Sequence, residues 1–423
     1  MELDINSYMT DKIMSIPFCK PDISDAEIAE VVEVLKSGWI TTGPKTKKLE
    51  GLLADYLESE RCVCLSSQTA CGELSLRMME IGASAGGSAE DEVITSAYTY
   101  TASASVIQHV GAKIVLIDTQ KDSLEMDYDA LEAAINEHTK AIIPIDVGGV
   151  PCDYERILDI VERKRSLFRP NGKLQEILGR VAVIEDAAHA LGAEYNFHGE
   201  TKKIGSISDF TSFSFHAVKN YTTAEGGAVT WHIPGADSDE IYTRFQLFSL
   251  HGQSRDALKR NTAGGWEYDV IGPWYKFNMT DIMAAIGLAQ LERYPQMLLR
   301  REELIRRYDA ELLPLGIKSI THYTDKYRSS GHIYMSRVPG ADSSDRNMII
   351  HRMAARGIVC NVHFQPLPLL TAYKNMGFDI SNYPNAFAMY ENEITLPLYT
   401  KLTDKEVDYV IRTYKSILKE YLK

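Results

Sequence analysis

The sequence has no surplus of positive charge, no long apolar run and no paired-cysteine motif, and each absence removes a class of function. Lys and Arg total 45 against 58 Asp and Glu, leaving a formal charge of −13 at pH 7. A general nucleic-acid binder needs a basic face to neutralise phosphates, so no nucleic-acid partner is expected. One local pocket can still be positive, which leaves small anionic ligands open. No stretch approaches the roughly 18–20 apolar residues that span a bilayer, and no membrane partner is expected. The opening residues Met1-Glu2-Leu3-Asp4 carry acids and no basic segment, which argues against a secretory signal. The expected location is the cytoplasm. Cys19, Cys62, Cys64, Cys71, Cys152 and Cys360 form no C-x-x-C pair, and the 11 histidines include no H-E-x-x-H. Neither a zinc site nor a thioredoxin-like site is indicated, and no metal is expected.

What is there is ordinary globular composition, 45% hydrophobic and 24% charged over 423 residues, enough for one or two domains with a large core. From about residue 60 to 232, short β-branched runs alternate with helical stretches. Strands are expected at 61–65, 92–95, 113–117, 140–146, 181–185, 210–215 and 227–231, with a helix at 127–138. Runs apolar on both faces suit a mostly parallel sheet covered by helices, an α/β architecture. Cys62 and Cys64 alternate within the first run and read as buried strand residues. Segment 164–180 breaks the rhythm and reads as a helical insertion, and the polar first 18 residues as a partly ordered N-terminal segment. A large α/β domain over 19–280 is expected to be followed by bridging helices and a smaller α+β domain over 281–423. Within that second part, helices are expected at 280–293 (capped by Thr280 or Asp281), 299–312, 345–356 and 403–421, and strands at 332–338 and 358–364.

Ligands of such sheets bind beyond the carboxyl ends of the strands. After the first strand comes Ser66-Ser67-Gln68-Thr69-Ala70, a hydroxyl-rich helix start that suits a phosphate, although a plain capped helix would look the same. After 181–185 comes Asp186, an acid at the end of an apolar strand that needs a cationic partner; a protonated pyridine nitrogen is one, a helix cap the alternative. After 210–215 comes Lys219, in a turn-prone segment ahead of Gly226-Gly227. Desolvation lowers a lysine pKa and frees the neutral amine that forms Schiff bases. An isolated Lys would be a surface charge, so the joint pattern with Asp186 and the helix start carries the reading.

With those residues in place, the chain resembles the DegT/StrS-type sugar aminotransferases, pyridoxal 5′-phosphate (PLP) enzymes of fold-type I. The motifs are S-G-W-I-T-T-G-P-K at 37–45, T-Y-T-A at 99–102, E-D-A-A-H-A at 185–190, S-F-H-A-V-K at 214–219, E-G-G at 225–227, N-M-T-D at 278–281 and V-H-F at 362–364. The resemblance implies that Lys219 carries PLP, that Asp186 meets its ring nitrogen and that His189 meets the ring hydroxyl. Tyr100 would stack on one ring face, with Ala188 on the other, and Thr69, Ala70 and Ser214 would cradle the phosphate. Asn278 would reach the phosphate in a neighbouring subunit, implying a homodimer with shared active sites. Thr42 and His363 fall in segments that line the sugar pocket of relatives; His363 also alternates with Val362, as packing alone would produce. His216 and His332 read as structural histidines.

By the same resemblance, glutamate or glutamine donates an amino group to a nucleotide-linked keto-sugar, at C4 of a UDP- or dTDP-4-keto-6-deoxysugar. Amination at C3 or of a cyclitol is the alternative. A sugar dehydratase of the same fold would have His in place of Lys219, and a non-catalytic sensor would have no need of the amine. The family pattern is broken at Gly148-Gly149, where relatives carry bulkier residues, and by the insertion at 164–180.

Overall fold

The computed structural model describes residues 13–254 and 267–421. Nine strands belong to its first two-thirds: β1 (Cys62–Leu65), β2 (Glu92–Ser96), β3 (Lys113–Ile117), β4 (Thr139–Ile143), β5 (Ala182–Asp186), β6 (Glu194–Phe197), β7 (Glu200–Lys203), β8 (Phe210–Ser214) and β9 (Gly227–Trp231). Four short ones follow: β10 (Lys318–Ser319), β11 (Tyr327–Arg328), β12 (Tyr334–Arg337) and β13 (Glu393–Leu396). The central sheet has the order β1-β9-β8-β5-β4-β2-β3. All its strands run parallel except β9, which is antiparallel to both β1 and β8. The mostly parallel α/β sheet is therefore as expected.

Helices cover both faces of this sheet. Cys62 and Cys64 pack into one apolar layer while Val63 and Leu65 pack into the other, the period-two alternation of a strand buried on both sides. Burying sulfur there is favourable because Cys acts as a small hydrophobe. The parallel strands deliver their carboxyl ends to one edge. The reversed β9 brings its beginning, Gly226-Gly227, to the same edge. A Cβ on Gly227 would lie 2.6 Å from the Gln68 amide nitrogen, so only glycine lets β9 approach the helix start that follows β1.

The expected helices at 280–293 and 299–312 are one helix, Asp281–Leu312, with Pro295 inside it. Proline removes one backbone bond, but Tyr294 and Met297 on that turn are buried, and the Tyr294 hydroxyl donates to the Leu191 carbonyl at 2.7 Å. Tertiary packing thus carries the helix through. Its first half packs on the central sheet, its second half on a sheet of order β10-β12-β13 with Leu304, Tyr308 and Leu312. Thr280 is the N-cap. Asp281 instead accepts from the Gly43 and Thr46 amides at 2.8 and 2.9 Å, capping helix Pro44–Tyr56 and pinning segment 42–46 beside 278–281.

Two expectations need correction. Residues 358–364 form no strand; only Ile358 and Asn361 make isolated bridges, to Ile16 and Thr395. The Asn361 side chain takes the Val362 amide and the Glu393 carboxylate takes the His363 amide, both at 2.8 Å, so side chains occupy donors a ladder would use. The run 140–146 stops as a strand at Ile143, ahead of Pro144. Of the N-terminal segment 1–18, residues 1–12 lie outside the described residues, while Ile16 is fully buried and bonded to Gly357 and Val359. The insertion 164–180 holds a short turn and the helix Lys173–Leu178. No helix among the described residues is long and apolar enough to cross a membrane.

Candidate active site

A cavity of about 360 Å³ opens where the strand ends converge. Ser67, Gln68 and Thr69 approach it from the turn after β1, Tyr100 from β2, Asp186, Ala188 and His189 from β5, and Ser214 and Lys219 from β8. Eight of the residues singled out in the sequence therefore share one space: Thr69, Tyr100, Asp186, Ala188, His189, Ser214, Lys219 and His363. Ala70 sits just behind Thr69, its amide bonded to Ser67 Oγ at 3.1 Å. Thr42 and Asn278 do not line this cavity. They bond to each other, Asn278 Nδ2 donating to Thr42 Oγ1 at 2.5 Å, while the Asn278 backbone bridges Leu65.

The helix Gln68–Met78 starts at the cavity with Ser67 as its cap. The cap satisfies the Ala70 amide, but the Gln68 and Thr69 amides have no acceptor among the described residues. Orphan donors at the positive end of a helix dipole make an anion site. Across the cavity, Asp186 is held by Ser103 Oγ, which donates to Oδ2 at 2.7 Å, and by the Ala188 amide, which donates to Oδ1 at 3.1 Å. Burial pushes its carboxyl up, while these bonds and the Lys219 charge pull it down. Ser103 lies in the first turn of helix Thr101–His109, and its donation to Asp186 was not evident in the sequence.

Lys219 projects from the turn after β8, whose backbone is fixed by Lys219 N donating to the His216 carbonyl at 2.9 Å. Its ammonium has no hydrogen-bond or ion-pair partner among the described residues. Burial lowers its pKa from 10.5 to about 8, with Asp186 and Cys19 opposing. A substantial neutral fraction near physiological pH is what a nucleophilic amine requires. His189 accepts from the Gly148 amide through Nδ1 at 3.1 Å, so its neutral ring carries hydrogen on Nε2. Burial, then the Lys219 charge, holds it well below its usual pKa. Gly148 has φ +70, and a Cβ there would lie 2.4 Å from Ile320 Cδ1. The departure seen in the sequence thus has a geometric reason: only glycine offers its amide to His189 in this conformation.

Further lining comes from the second half of the chain, His363 included, and from Phe18 and Cys19, the two to which no sequence pattern pointed. His363 stacks on Phe18 with centroids 5.4 Å apart, and Phe364 lies 6.0 Å from Tyr100. His216 and His332, read as structural, both line the cavity. His332 packs 4.2 Å from His189, and its buried Nδ1 has no hydrogen-bond partner among the described residues. Ring polarity without a local bond is the part of its position that periodicity could not reveal.

These residues fit PLP. The two orphan amides match a phosphate, the buried Asp186 matches a ring nitrogen that carries a proton, and the unpartnered Lys219 amine matches an aldehyde. Tyr100 and Ala188 line the same cavity.

The family description DegT/DnrJ/EryC1/StrS aminotransferase family matches residues 21–415. A structure named "Putative sugar aminotransferase Spr1654 from Streptococcus pneumoniae, PLP-form" is 53% identical, with a TM-score of 0.91, covering 97% of this chain and 100% of that one. The "Uncharacterized protein MJ1066" of Methanocaldococcus jannaschii is 41% identical over 414 residues, 96% of this chain and 98% of its own. The spore coat polysaccharide biosynthesis protein SpsC of Bacillus subtilis is 36% identical over 410 residues, 96% of this chain and 97% of its own. The chain belongs to the DegT/DnrJ/EryC1/StrS aminotransferase family.

Proposed function

We propose that this PLP-dependent aminotransferase moves an amino group from glutamate or glutamine to C4 of a UDP- or dTDP-linked 4-keto-6-deoxysugar, in the cytoplasm, for surface polysaccharide or other amino-sugar products. The observation that carries the reading is the meeting of Lys219, Asp186 and the orphan amides of Gln68 and Thr69 in one cavity. The sugar named for Spr1654 and the polysaccharide named for SpsC support a sugar acceptor. PLP, when bound, supplies an electron sink for negative charge developing at the carbon beside the transferred nitrogen.

The chain's own residues divide the remaining work. Asp186, kept in place by Ser103 and Ala188, holds a proton on the ring nitrogen. Lys219 Nζ, drawn down to about 8, takes the proton from the donor Cα and returns one on the acceptor side. His189, donating through Nε2, fixes the ring hydroxyl, and Thr69 and Ser214 complete the phosphate cradle. His363 faces the sugar. Thr42 and Asn278, bonded to each other away from the protomer's own cavity, serve the cavity of a partner copy in a homodimer.

The test is incubation with glutamate or glutamine and a panel of 4-keto and 3-keto sugar nucleotides and a ketocyclitol, read by mass. An amine on the 4-keto substrates is expected. Conversion of only the 3-keto sugars or the cyclitol would replace the acceptor, and conversion of none would remove the reading.

A further inference from the structure

Behind the cavity wall, His363 ends a short chain of polar groups that the mechanism above does not use. Its Nδ1 lies 2.9 Å from Thr395 Oγ1, and Thr395 Oγ1 lies 2.5 Å from Glu393 Oε1. The second oxygen of Glu393 accepts from the His363 backbone amide at 2.8 Å. Glu393 and Thr395 are both fully buried. They stand two residues apart on β13, which puts their side chains on one face. His363 Nε2, on the far side of the ring, has no partner among the described residues, and the residue lines the cavity.

A hydroxyl has one proton and cannot donate to both neighbours. With Glu393 ionised, Thr395 donates to the carboxylate and its oxygen accepts from His363 Nδ1–H, leaving Nε2 a bare acceptor. With Glu393 protonated, the acid donates to Thr395, Thr395 donates to Nδ1, and Nε2 carries the hydrogen. We propose that Glu393 and Thr395 are positioning residues for His363: the carboxyl, acting through the single hydroxyl proton of Thr395, selects which ring nitrogen of His363 carries hydrogen at the substrate cavity. This rests on the reading of His363 as a sugar contact and deepens it. A bare Nε2 accepts from sugar hydroxyls, whereas Nε2–H donates to a carbonyl or phosphate oxygen.

The interchange balances along the chain. A proton arriving at Nε2 from the cavity releases the Nδ1 proton to Thr395, which passes its own to Glu393 Oε1. Burial pushes the Glu393 carboxyl up to about 8, opposed by the bonds from Thr395 and the His363 amide and by the Arg346 charge. The other titratable groups facing it are Arg337, its cross-strand partner on β12, and Tyr98, Cys360 and Tyr414. Around His363 stand Lys219, His189 and His332, and burial followed by the Lys219 charge holds its ring down at about 4, so it stays neutral while Glu393 titrates. Tyr98 donates to the His363 carbonyl at 2.7 Å and fixes the backbone in both states.

The test is the two-bond proton–nitrogen spectrum of 15N-histidine-labelled, PLP-loaded protein without sugar, with the His363 signal identified by its loss in His363→Asn. The expected result is an exchange from the Nε2–H to the Nδ1–H tautomer as pH rises through about 8. Glu393→Gln presents an amide N–H to Thr395 and pins Nε2–H at every pH. Thr395→Val abolishes the transition and Thr395→Ser keeps it, so a merely structural loss is told apart from loss of the hydroxyl. A single tautomer on both sides of the midpoint in the wild type, or a Glu393→Gln protein that titrates like it, would overturn the proposal. No sugar is present, so failure to aminate keto-sugars bears on the proposed function and not on this result.

Discussion

Replacing Lys219 by methionine isolates the energetic cost of holding that amine inside the cavity. Methionine keeps most of the side-chain volume, so little cavity is created. In the cofactor-free protein, the drop from 10.5 to about 8 corresponds to about 3 kcal/mol at roughly 1.4 kcal/mol per pH unit. The amine faces a cavity rather than solid core, so screening reduces this, and a gain of about 2 kcal/mol is expected for Lys219→Met. The sign follows from linkage. The folded protein releases its proton at about 8 and the unfolded chain at 10.5. Below the lower value both states are protonated and the full cost of burying the charge is present. Between the two values the unfolded state binds more protons, so wild-type stability rises with pH and the cost fades. Denaturant melts of the two cofactor-free proteins should therefore show Lys219→Met ahead at neutral pH and the gap closing towards the upper value. A variant no more stable than wild type at neutral pH, or a gap that widens as pH rises, would refute the reasoning.

Asp186→Asn keeps one oxygen for the Ala188 amide and turns an amide N–H towards Ser103 Oγ, but it cannot hold a proton on a ring nitrogen by charge. Its turnover should fall by about 10²-fold or more with the fold retained, and single-turnover kinetics within a factor of about three of wild type would contradict the role. Gly148→Ala places a Cβ 2.4 Å from Ile320 Cδ1 at φ +70; a loss of about 1–3 kcal/mol, seen as a lower thermal midpoint, is expected, and an unchanged midpoint would contradict the packing described. Arg180 grips Asp209 with two bonds of 2.7 and 2.8 Å, and Asp209 also accepts from the Val183 amide in β5. Arg180→Ala strands that buried carboxylate and should cost about 3–5 kcal/mol in a thermal or chemical melt, against little change if the pair were solvated.

The central sheet was legible because its strands are buried on both faces and bounded by turn residues: Gly227–Trp231 has the same ends in sequence and structure. β6 and β7 escaped notice because Glu194–Phe197 and Glu200–Lys203 are polar and half-exposed, with no apolar run to mark them. The site was legible where chemistry sits at strand ends, as at Asp186 and Lys219. It was not legible where position depends on distant packing. Phe18 and Cys19 reach the cavity across the whole chain, and the Gly148 amide finds His189 through a turn whose purpose no local pattern states. The strand Glu393–Leu396 was not among the expected elements, and nothing local ties Thr395 and Glu393 to His363; only their distances do.

The most direct test of the account is the near-visible absorbance of the PLP-loaded protein before and after glutamate or glutamine is added. Wild type should absorb there and lose that band with the amino donor, while Lys219→Ala should fold but lack the band and the activity. Absorbance unmoved by either donor, or turnover retained without the Lys219 amine, would contradict the central claim.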